Sequence, residues 1–358
     1  MEYINNIKKI EIDACDNADS FLQSSMWAAF KSRFGWKADA FLIDWSEKTE
    51  EKTTLLVLSR RLLPGFSFAY VPWGPHLPSD FSADERPQAM HELAEKLKPF
   101  FARNTAFARF DFPWFFLDGD ENLKNESASL KAAGFKIAAA QVQPPDSVLI
   151  DLTASCEEIL ASMKSKWRYN VTLAQKKGVI VNVCSSKDLE VFYNLLKETA
   201  QRDGIAVHGF DYYKTLFELC ENQYKDKLLI KLYTASHEGE TLAAIVVLLR
   251  GKDAVYLYGA SSNNKRNLMA PYALQWKAMQ DAKNSGCKTY DLFGIPPDDN
   301  PNHPMAGLYR FKTGFGGKII HRPGSRDYIY NGLIYNLFSM VEKFRKKIFD
   351  LRKRKQKS

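Results

Sequence analysis

The chain has no clustered cysteines, no close histidine grouping and no long apolar run. Its five cysteines (Cys15, Cys156, Cys184, Cys220, Cys287) stand singly, and its six histidines (His76, His91, His208, His237, His303, His321) keep no ligand spacing with them or with one another. That pattern argues against a disulfide framework and against a structural zinc site, and no metal is expected. The longest aliphatic stretch, Ala243 to Leu249, falls far short of the roughly 20 residues that a membrane-crossing helix needs. The opening Met1-Glu2-Tyr3 lacks the basic-then-apolar order of a signal peptide, so a cytoplasmic location is expected. A Gly-x-Ser-x-Gly elbow is missing too, and no cysteine sits in a nucleophile signature; a reaction that needs no covalent acyl-enzyme fits better.

What is there bounds the answer from the other side. With 358 residues, 45% hydrophobic and 13% aromatic, the chain can bury a large core and suggests two domains. Its net charge of +8 is unevenly placed: from Tyr330 to Ser358 nine Lys/Arg face only Glu342 and Asp350. Basicity is therefore a property of the tail. Within it Ile334, Leu337, Phe338, Val341, Phe344, Ile348 and Leu351 recur at steps of three and four, while Lys343, Arg345, Lys346, Lys347 and Arg352 to Lys355 supply cations. This predicts an amphipathic helix over 330–358, suited to an anionic membrane surface or RNA phosphates, or else docked on the body with a solvated basic end.

The same order of elements occurs twice. In the first half Phe41 to Trp45, Thr54 to Arg61 and Phe66 to Pro72 read as strands, 84–103 as a helix and Ala106 to Phe112 as a strand. In the second half Leu228 to Thr234, Thr241 to Leu249 and Ala254 to Gly259 are strands, Ala270 to Ser285 a helix and Thr289 to Phe293 a strand. Tyr70 then corresponds to Tyr258, and Asp111 to Asp291. Gln141 to Asp146 carries Pro144-Pro145, which interrupts regular structure and places a boundary near 145–155. After it, 155–177 reads as one helix with Ile159, Met163, Trp167 and Leu173 on a face, ended by Gly178. No sustained heptad run follows, so a long coiled-coil arm is not expected.

One block is the most specific. It runs from Tyr258-Gly259-Ala260-Ser261 through Arg266 and Ala270-Pro271-Tyr272 to Thr289-Tyr290-Asp291, and closes on Gly307-Leu308-Tyr309-Arg310-Phe311-Lys312-Thr313-Gly314-Phe315-Gly316-Gly317. Strand, polar loop, helix, strand, helix is how GNAT-type N-acyltransferases hold an acyl donor. The particular residues resemble the Fem family (FemA, FemB and FemX), aminoacyl-tRNA-dependent ligases that build peptidoglycan cross-bridges. Weaker echoes extend the resemblance: Trp27-Ala28-Ala29-Phe30-Lys31 with Trp36, Pro72-Trp73-Gly74-Pro75, and Lys166-Trp167-Arg168-Tyr169-Asn170 with Lys176-Lys177-Gly178.

The resemblance implies an α/β (α+β) chain of tandem GNAT-like domains, with mixed sheets flanked by helices. Residues 1–150 would bind the acceptor precursor, 151–329 would carry acyl transfer, and 330–358 would form the basic helix. It also implies transfer of an amino acid from aminoacyl-tRNA, the co-substrate, to the side-chain amine of the stem peptide of UDP-MurNAc-pentapeptide or its lipid-linked form, lipid II. No other cofactor is expected, a monomer is, and the basic tail would touch the inner membrane surface. Such a transfer needs an uncharged amine and a stabiliser for the oxyanion formed on attack. Lys312 matches the lysine assigned that stabilising role. Lys31 matches the acceptor contact, with Trp36 as an apolar wall.

His208 and Tyr212 fall where many relatives have Arg and Tyr, which transfers the phosphate contact expected of His208 to a neighbour such as Arg202. Trp73 replaces a basic residue that relatives often carry. Tyr70, Tyr258, Arg266 and Phe311 are further substrate-binding candidates. Asp111 is a candidate general base, or a turn cap before Phe112-Pro113.

The loop Ser261 to Met269 contains no glycine, so the backbone cradle that a coenzyme A diphosphate requires is not expected there. Two readings compete with the first. One is a GNAT-type N-acyltransferase using acyl-CoA on a sugar or protein amine. The other is a non-catalytic, membrane-peripheral RNA-binding protein.

Overall fold

Runs rich in aliphatic and aromatic residues build two mixed sheets in the computed structural model, which describes residues 2–18, 20–46 and 49–355. The chain forms two compact units. One unit is Met1–Pro145 together with His321–Ser358, and the other is Asp146–Ile320.

The first unit runs β1 (Ile4–Ile10), α1 (Ser25–Ser32), β2 (Lys37–Trp45), β3 (Lys52–Leu63), β4 (Phe66–Val71), α2 (Arg86–Leu97), β5 (Thr105–Asp111), β6 (Phe116–Leu117), α3 (Asn122–Ala132) and β7 (Phe135–Ile137). Neighbours from β1 to β4 pair antiparallel, whereas β4 and β5 are parallel and joined through α2. Parallel strands require such a crossover. The inward face carries Phe41, Ile43, Leu55, Val57, Ala69, Val71, Ala108 and Phe110, which pack against Met90, Leu93 and Leu97 of α2. Their alternation is what the strands' two-residue period demands.

The second unit runs β8 (Asp146–Asp151), α4 (Cys156–Ser162), α5 (Ser165–Lys176), β9 (Ile180–Cys184), α6 (Leu189–Asp203), α7 (Phe210–Asn222), β10 (Leu229–His237), β11 (Glu240–Arg250), β12 (Asp253–Ser261), α8 (Ala270–Asn284), β13 (Thr289–Asp291), α9 (Ala306–Thr313) and β14 (Lys318–His321). Its strand order is β14-β8-β13-β12-β11-β10-β9; β12 and β13 are parallel and joined through α8, β13 pairs antiparallel with β8, and β11 pairs antiparallel with β10 and β12. The run Leu242 to Leu249 is buried throughout because β11 is covered on both sides. Ala243, Ile245, Val247 and Leu249 join the core with Leu274, Ala278 and Met279 of α8, and α6 packs against β11 and β12. Helices α6 and α7 lie on this sheet instead of projecting as an arm.

Two expectations need correction. The helix over 155–177 is two helices, because Met163 is extended at φ −65°, ψ 151° and the Lys164 N–H donates to Gly314 O at 2.9 Å. A tertiary contact overrides a continuous helical pattern. The second domain does not run from 151 to 329 either. β8 already begins at Asp146, directly after Pro144-Pro145, and the chain re-enters the first unit at His321, where β15 (Ser325–Ile329) inserts between β5 and β7. The helix expected over 330–358 is present as α10 (Gly332–Lys355), which follows β15 and belongs to the first unit. Tyr335 of α10 packs edge-on against Phe107 at 5.3 Å, and Phe338 stacks on the same ring at 5.3 Å. The side chains from residue 345 onward, including Arg345, Lys346, Lys347, Ile348, Leu351 and Arg352 to Lys355, lie outside the described residues. Among the described residues no helix is long and apolar enough to cross a membrane.

Candidate active site

In the second unit a cavity of about 780 Å³ opens beside β12 and α8, lined among others by Tyr256, Arg266, Tyr272, Gln275, Phe311 and Lys312. Short helix α9 brings in the last two. Its residues are half-buried or exposed apart from Lys312, the one residue of α9 that is buried, at 6% exposure. A lysine aimed inward where an apolar residue would normally sit must find acceptors. It does: Nζ donates to Phe293 O at 2.7 Å and Gly294 O at 3.0 Å, and lies 5.0 Å from the Tyr256 ring centroid. Burial pulls the Lys312 pKa down to about 7, partly opposed by the charge of Asp291.

The two carbonyls are themselves held in place. Asp291, at the end of β13, accepts the Phe293 N–H at 2.7 Å and the Ser147 hydroxyl on the same oxygen. This turn fixes Phe293 at φ 56°, a left-handed conformation that a bulky residue rarely adopts and that surrounding structure must enforce. The glycines ending α9 are required by close approach. A Cβ at Gly314 would lie 2.0 Å from the Trp167 ring, and one at Gly317, where φ is +84°, would lie 2.4 Å from Leu149 O. Trp167 donates to Phe311 O at 2.8 Å, so the Lys166 to Asn170 motif serves to seat the end of α9. Phe311, Phe315 and Tyr272 pack edge to face or tilted, with centroids 5.1 to 5.9 Å apart, and keep the ammonium's surroundings dry.

Asp291→Asn preserves an acceptor for Phe293 but removes the negative charge. Lys312 then loses part of what keeps it protonated, and the alkaline limb of the pH–rate profile is expected to move to lower pH. Turnover should fall about tenfold above neutrality and less below it. A purely structural Asp291 would lower activity equally at every pH.

Tyr258 is not where the repeat placed it. Between β11 and β12 the register slips, pairing Val246 with Tyr258 but Val247 with Tyr256. That bulge at Leu257 reverses the alternation, so Tyr256 faces the cavity while Tyr258 joins α7. There Tyr258 meets Tyr213 edge-on at 5.1 Å and hydrogen-bonds with Tyr212. His208 stacks on Tyr212 with centroids 3.8 Å apart and planes 13° off parallel. His208, Tyr212 and Tyr258 thus form one aromatic group, while Lys312, Phe311 and Arg266 share the cavity. Burial raises the Tyr258 pKa well above its ordinary value, leaving a neutral phenol. Arg202, at the cavity wall, donates to Ser261 O at 2.8 Å and pairs with Asp203. Sequence reasoning missed Tyr256, Gln275 and the Phe293 and Gly294 carbonyls. The bulge has no local signature, and backbone acceptors have none at all.

The first unit gathers a second group. Lys31 Nζ lies 5.5 Å from the Trp27 centroid and 5.5 Å from that of Trp36, and the Arg60 guanidinium lies 5.6 Å from Trp36. Tyr70 is tilted against Trp36 at 6.0 Å. Burial, helped by Arg60, lowers the Lys31 pKa to about 8. Trp73, which has φ 40°, carries the Arg322 guanidinium 4.2 Å from its ring centroid. A cation therefore stands beside Trp73 even though Trp73 has none of its own.

Asp111 is buried, and its oxygens accept from the Tyr70 and Ser325 hydroxyls and from Gln143 N–H. Burial raises its pKa to about 6 against those donors. With its acceptor sites so occupied, Asp111 fits a clamp between β4, β5 and β15 better than a base. Asp111 and Asp291 each end the second strand of a parallel pair and each accept from a serine, so their correspondence holds. Tyr70 and Tyr258 part company, since Tyr70 binds Asp111 and Tyr258 binds Tyr212.

A parallel strand pair bridged by a helix, within an otherwise antiparallel sheet and repeated once in each unit, defines the class by its fold: a tandem GNAT-like α/β protein. The FemAB family model matches residues 13–238 and 232–343, and the chain belongs to that family. It is 25% identical over 395 residues to a lipid II:glycine glycyltransferase of Staphylococcus haemolyticus (strain JCSC1435), spanning 92% of this chain and 93% of that one. A protein of the same name from Staphylococcus epidermidis (strain ATCC 12228 / FDA PCI 1200) is 24% identical over 385 residues, covering 90% of each. Among solved structures, FemX superposes with a TM-score of 0.77 at 20% identity over 93% of this chain and 100% of its own. A tandem GNAT protein from the clavulanic acid biosynthesis pathway gives 0.51 at 10% identity, over 90% and 97%.

Proposed function

We propose that this protein is an aminoacyltransferase that moves an amino acid from aminoacyl-tRNA to the stem-peptide amine of a peptidoglycan precursor and so builds the interpeptide bridge. One observation carries the reading: a buried lysine, held by two backbone carbonyls, faces a cavity large enough for an acyl ester, in a family whose relatives are named as lipid II:glycine glycyltransferases. The neutral amine attacks the ester carbonyl, its carbon–nitrogen bond forms, and negative charge develops on the carbonyl oxygen. Lys312 meets that charge with an ammonium already in place, so little reorganisation is needed as the reaction proceeds. Collapse expels the ribose oxygen, which takes up the proton lost by the amine.

The donor enters beside the start of α8. Arg266 and the positive end of that helix's dipole favour the phosphates of an RNA end. On this reading tRNA replaces any dissociable cofactor. The Lys31, Trp36 and Arg60 group suits an acceptor that carries phosphate, and the names of the relatives favour its lipid-linked form. A monomer acting in the cytoplasm completes the reading.

Incubating the protein with total charged tRNA and either precursor form, then reading product masses, is expected to give a precursor heavier by one or more amino-acid residues. Acetyl transfer from acetyl-CoA, with no response to charged tRNA, would replace this reading with that of a GNAT-type acetyltransferase.

A further inference from the structure

Helix α10 carries two apolar faces, and the structure uses only one of them inside the fold. Ile334, Tyr335 and Phe338 pack toward Ala106, Phe107 and Phe68, and Glu342 on the same side reaches Arg109 Nη2 at 3.2 Å. The other face stands out into solvent: Leu333 is 85% exposed, Leu337 46%, Met340 61% and Phe344 66%. Their spacing of four, three and four residues makes a single stripe roughly 17 Å long, turned roughly 140° away from the docked face. The apolar positions that sequence periodicity assigned to one face are therefore divided. Phe338 goes inward, while Leu337 and Phe344 go outward. An exposed apolar stripe of this size calls for a partner.

We infer that this outer stripe inserts shallowly into an anionic lipid bilayer, with α10 lying in the plane of the surface. Charge selects that occupant. Lys343 is exposed beside Phe344, and between residues 345 and 355 the sequence places seven Lys/Arg against Asp350 alone. A second copy of the chain would bring this cationic segment against its own like, which repels. RNA would satisfy the cations and leave four apolar side chains wet. An anionic leaflet meets both needs, with acyl chains for the stripe and headgroups for the Lys and Arg. Docking through Tyr335, Phe338 and the Arg109–Glu342 pair holds the helix on the first unit with the stripe facing outward. This inference does not depend on the reaction proposed above, because it concerns where the protein sits.

The test uses the full chain and two vesicle preparations, phosphatidylcholine alone and phosphatidylcholine containing phosphatidylglycerol. Co-sedimentation should capture the protein on the anionic vesicles and much less on the neutral ones, with capture weakened by salt. The Leu337→Ser/Met340→Ser/Phe344→Ser variant should bind about tenfold more weakly or worse, with an unchanged melting temperature because those side chains are not in the core. Phe344→Trp should shift its emission to the blue only with anionic vesicles.

Failure of the wild type to bind anionic vesicles, or equal binding by the triple variant, overturns the inference. So does a wild-type dimer that the triple variant converts to monomer, which would make a second copy the occupant. Loss of tRNA affinity in the triple variant with vesicle binding intact would make RNA the occupant and overturn it equally.

Discussion

Lys312→Met is expected to lower turnover by about 10²- to 10³-fold with little change in precursor KM, the usual cost of removing one preorganised oxyanion donor. The Lys312 ammonium is in place before reaction, anchored by Phe293 O and Gly294 O, and methionine fills a similar volume without charge. The pH dependence gives an independent check. Burial lowers the Lys312 pKa from 10.5 to about 7, and only the protonated form can stabilise the oxyanion. In the wild type kcat/KM should therefore fall as pH rises through about 7, while the Met variant should lack that alkaline limb.

The stability sign runs the other way. A folded-state pKa below the unfolded value means that the charge costs stability, fully so below about pH 7 and progressively less as pH rises toward the unfolded value. The Met variant escapes that cost, so a large drop in turnover with native circular dichroism cannot be put down to unfolding. Unchanged turnover in the folded variant would refute the role given to Lys312.

Arg109→Leu should cost about 3–5 kcal/mol of unfolding free energy, read from urea denaturation, because it strands buried carboxylates. Arg109 pairs through Nε with Asp327 Oδ1 at 2.7 Å, through Nη2 with Asp327 Oδ2 at 2.9 Å, and through the same nitrogen with Glu342 at 3.2 Å. Tyr335 OH also donates to Asp327, at 3.1 Å. Burial works against the guanidinium, yet the hydrogen bonds and charge of Asp327 and Glu342 outweigh it and hold its pKa above the ordinary value. The network joins β5, β15 and α10, so its loss should also loosen α10. Arg109→Leu combined with Asp327→Leu should recover part of the stability, since the second change removes the stranded charge. A loss under about 1 kcal/mol for Arg109→Leu alone would place the pair among weak surface bridges and contradict its burial.

The tandem α/β plan was legible because its strands follow simple periods. The β11 run is apolar from Leu242 to Leu249, and helices start or stop at plain signals such as Pro271 for α8 and Gly178 for α5. The enclosed placement of Lys312 at the cavity was legible because one cation among Phe311, Phe315 and three glycines is a specific pattern. Three other features were not. The break at Met163 depends on a hydrogen bond from Lys164 to Gly314 O, a partner some 150 residues away. The inward turn of Tyr256 depends on a bulge set by the register with β11. The two faces of α10 share one periodicity, and only packing against Phe107 tells them apart. Local chemistry predicts local conformation well; where a side chain points is decided by what meets it from elsewhere in the chain.

The position of β15 between β5 and β7 dictates an order of assembly. During synthesis the amino-terminal sheet must wait, its edge at β5 unfilled, until the ribosome has completed the whole of Asp146–Ile320 and delivered the strand that follows. The carboxyl-terminal half can therefore mature first, and a transcript cut short after residue 320 would yield one finished body tethered to an open, adhesive sheet.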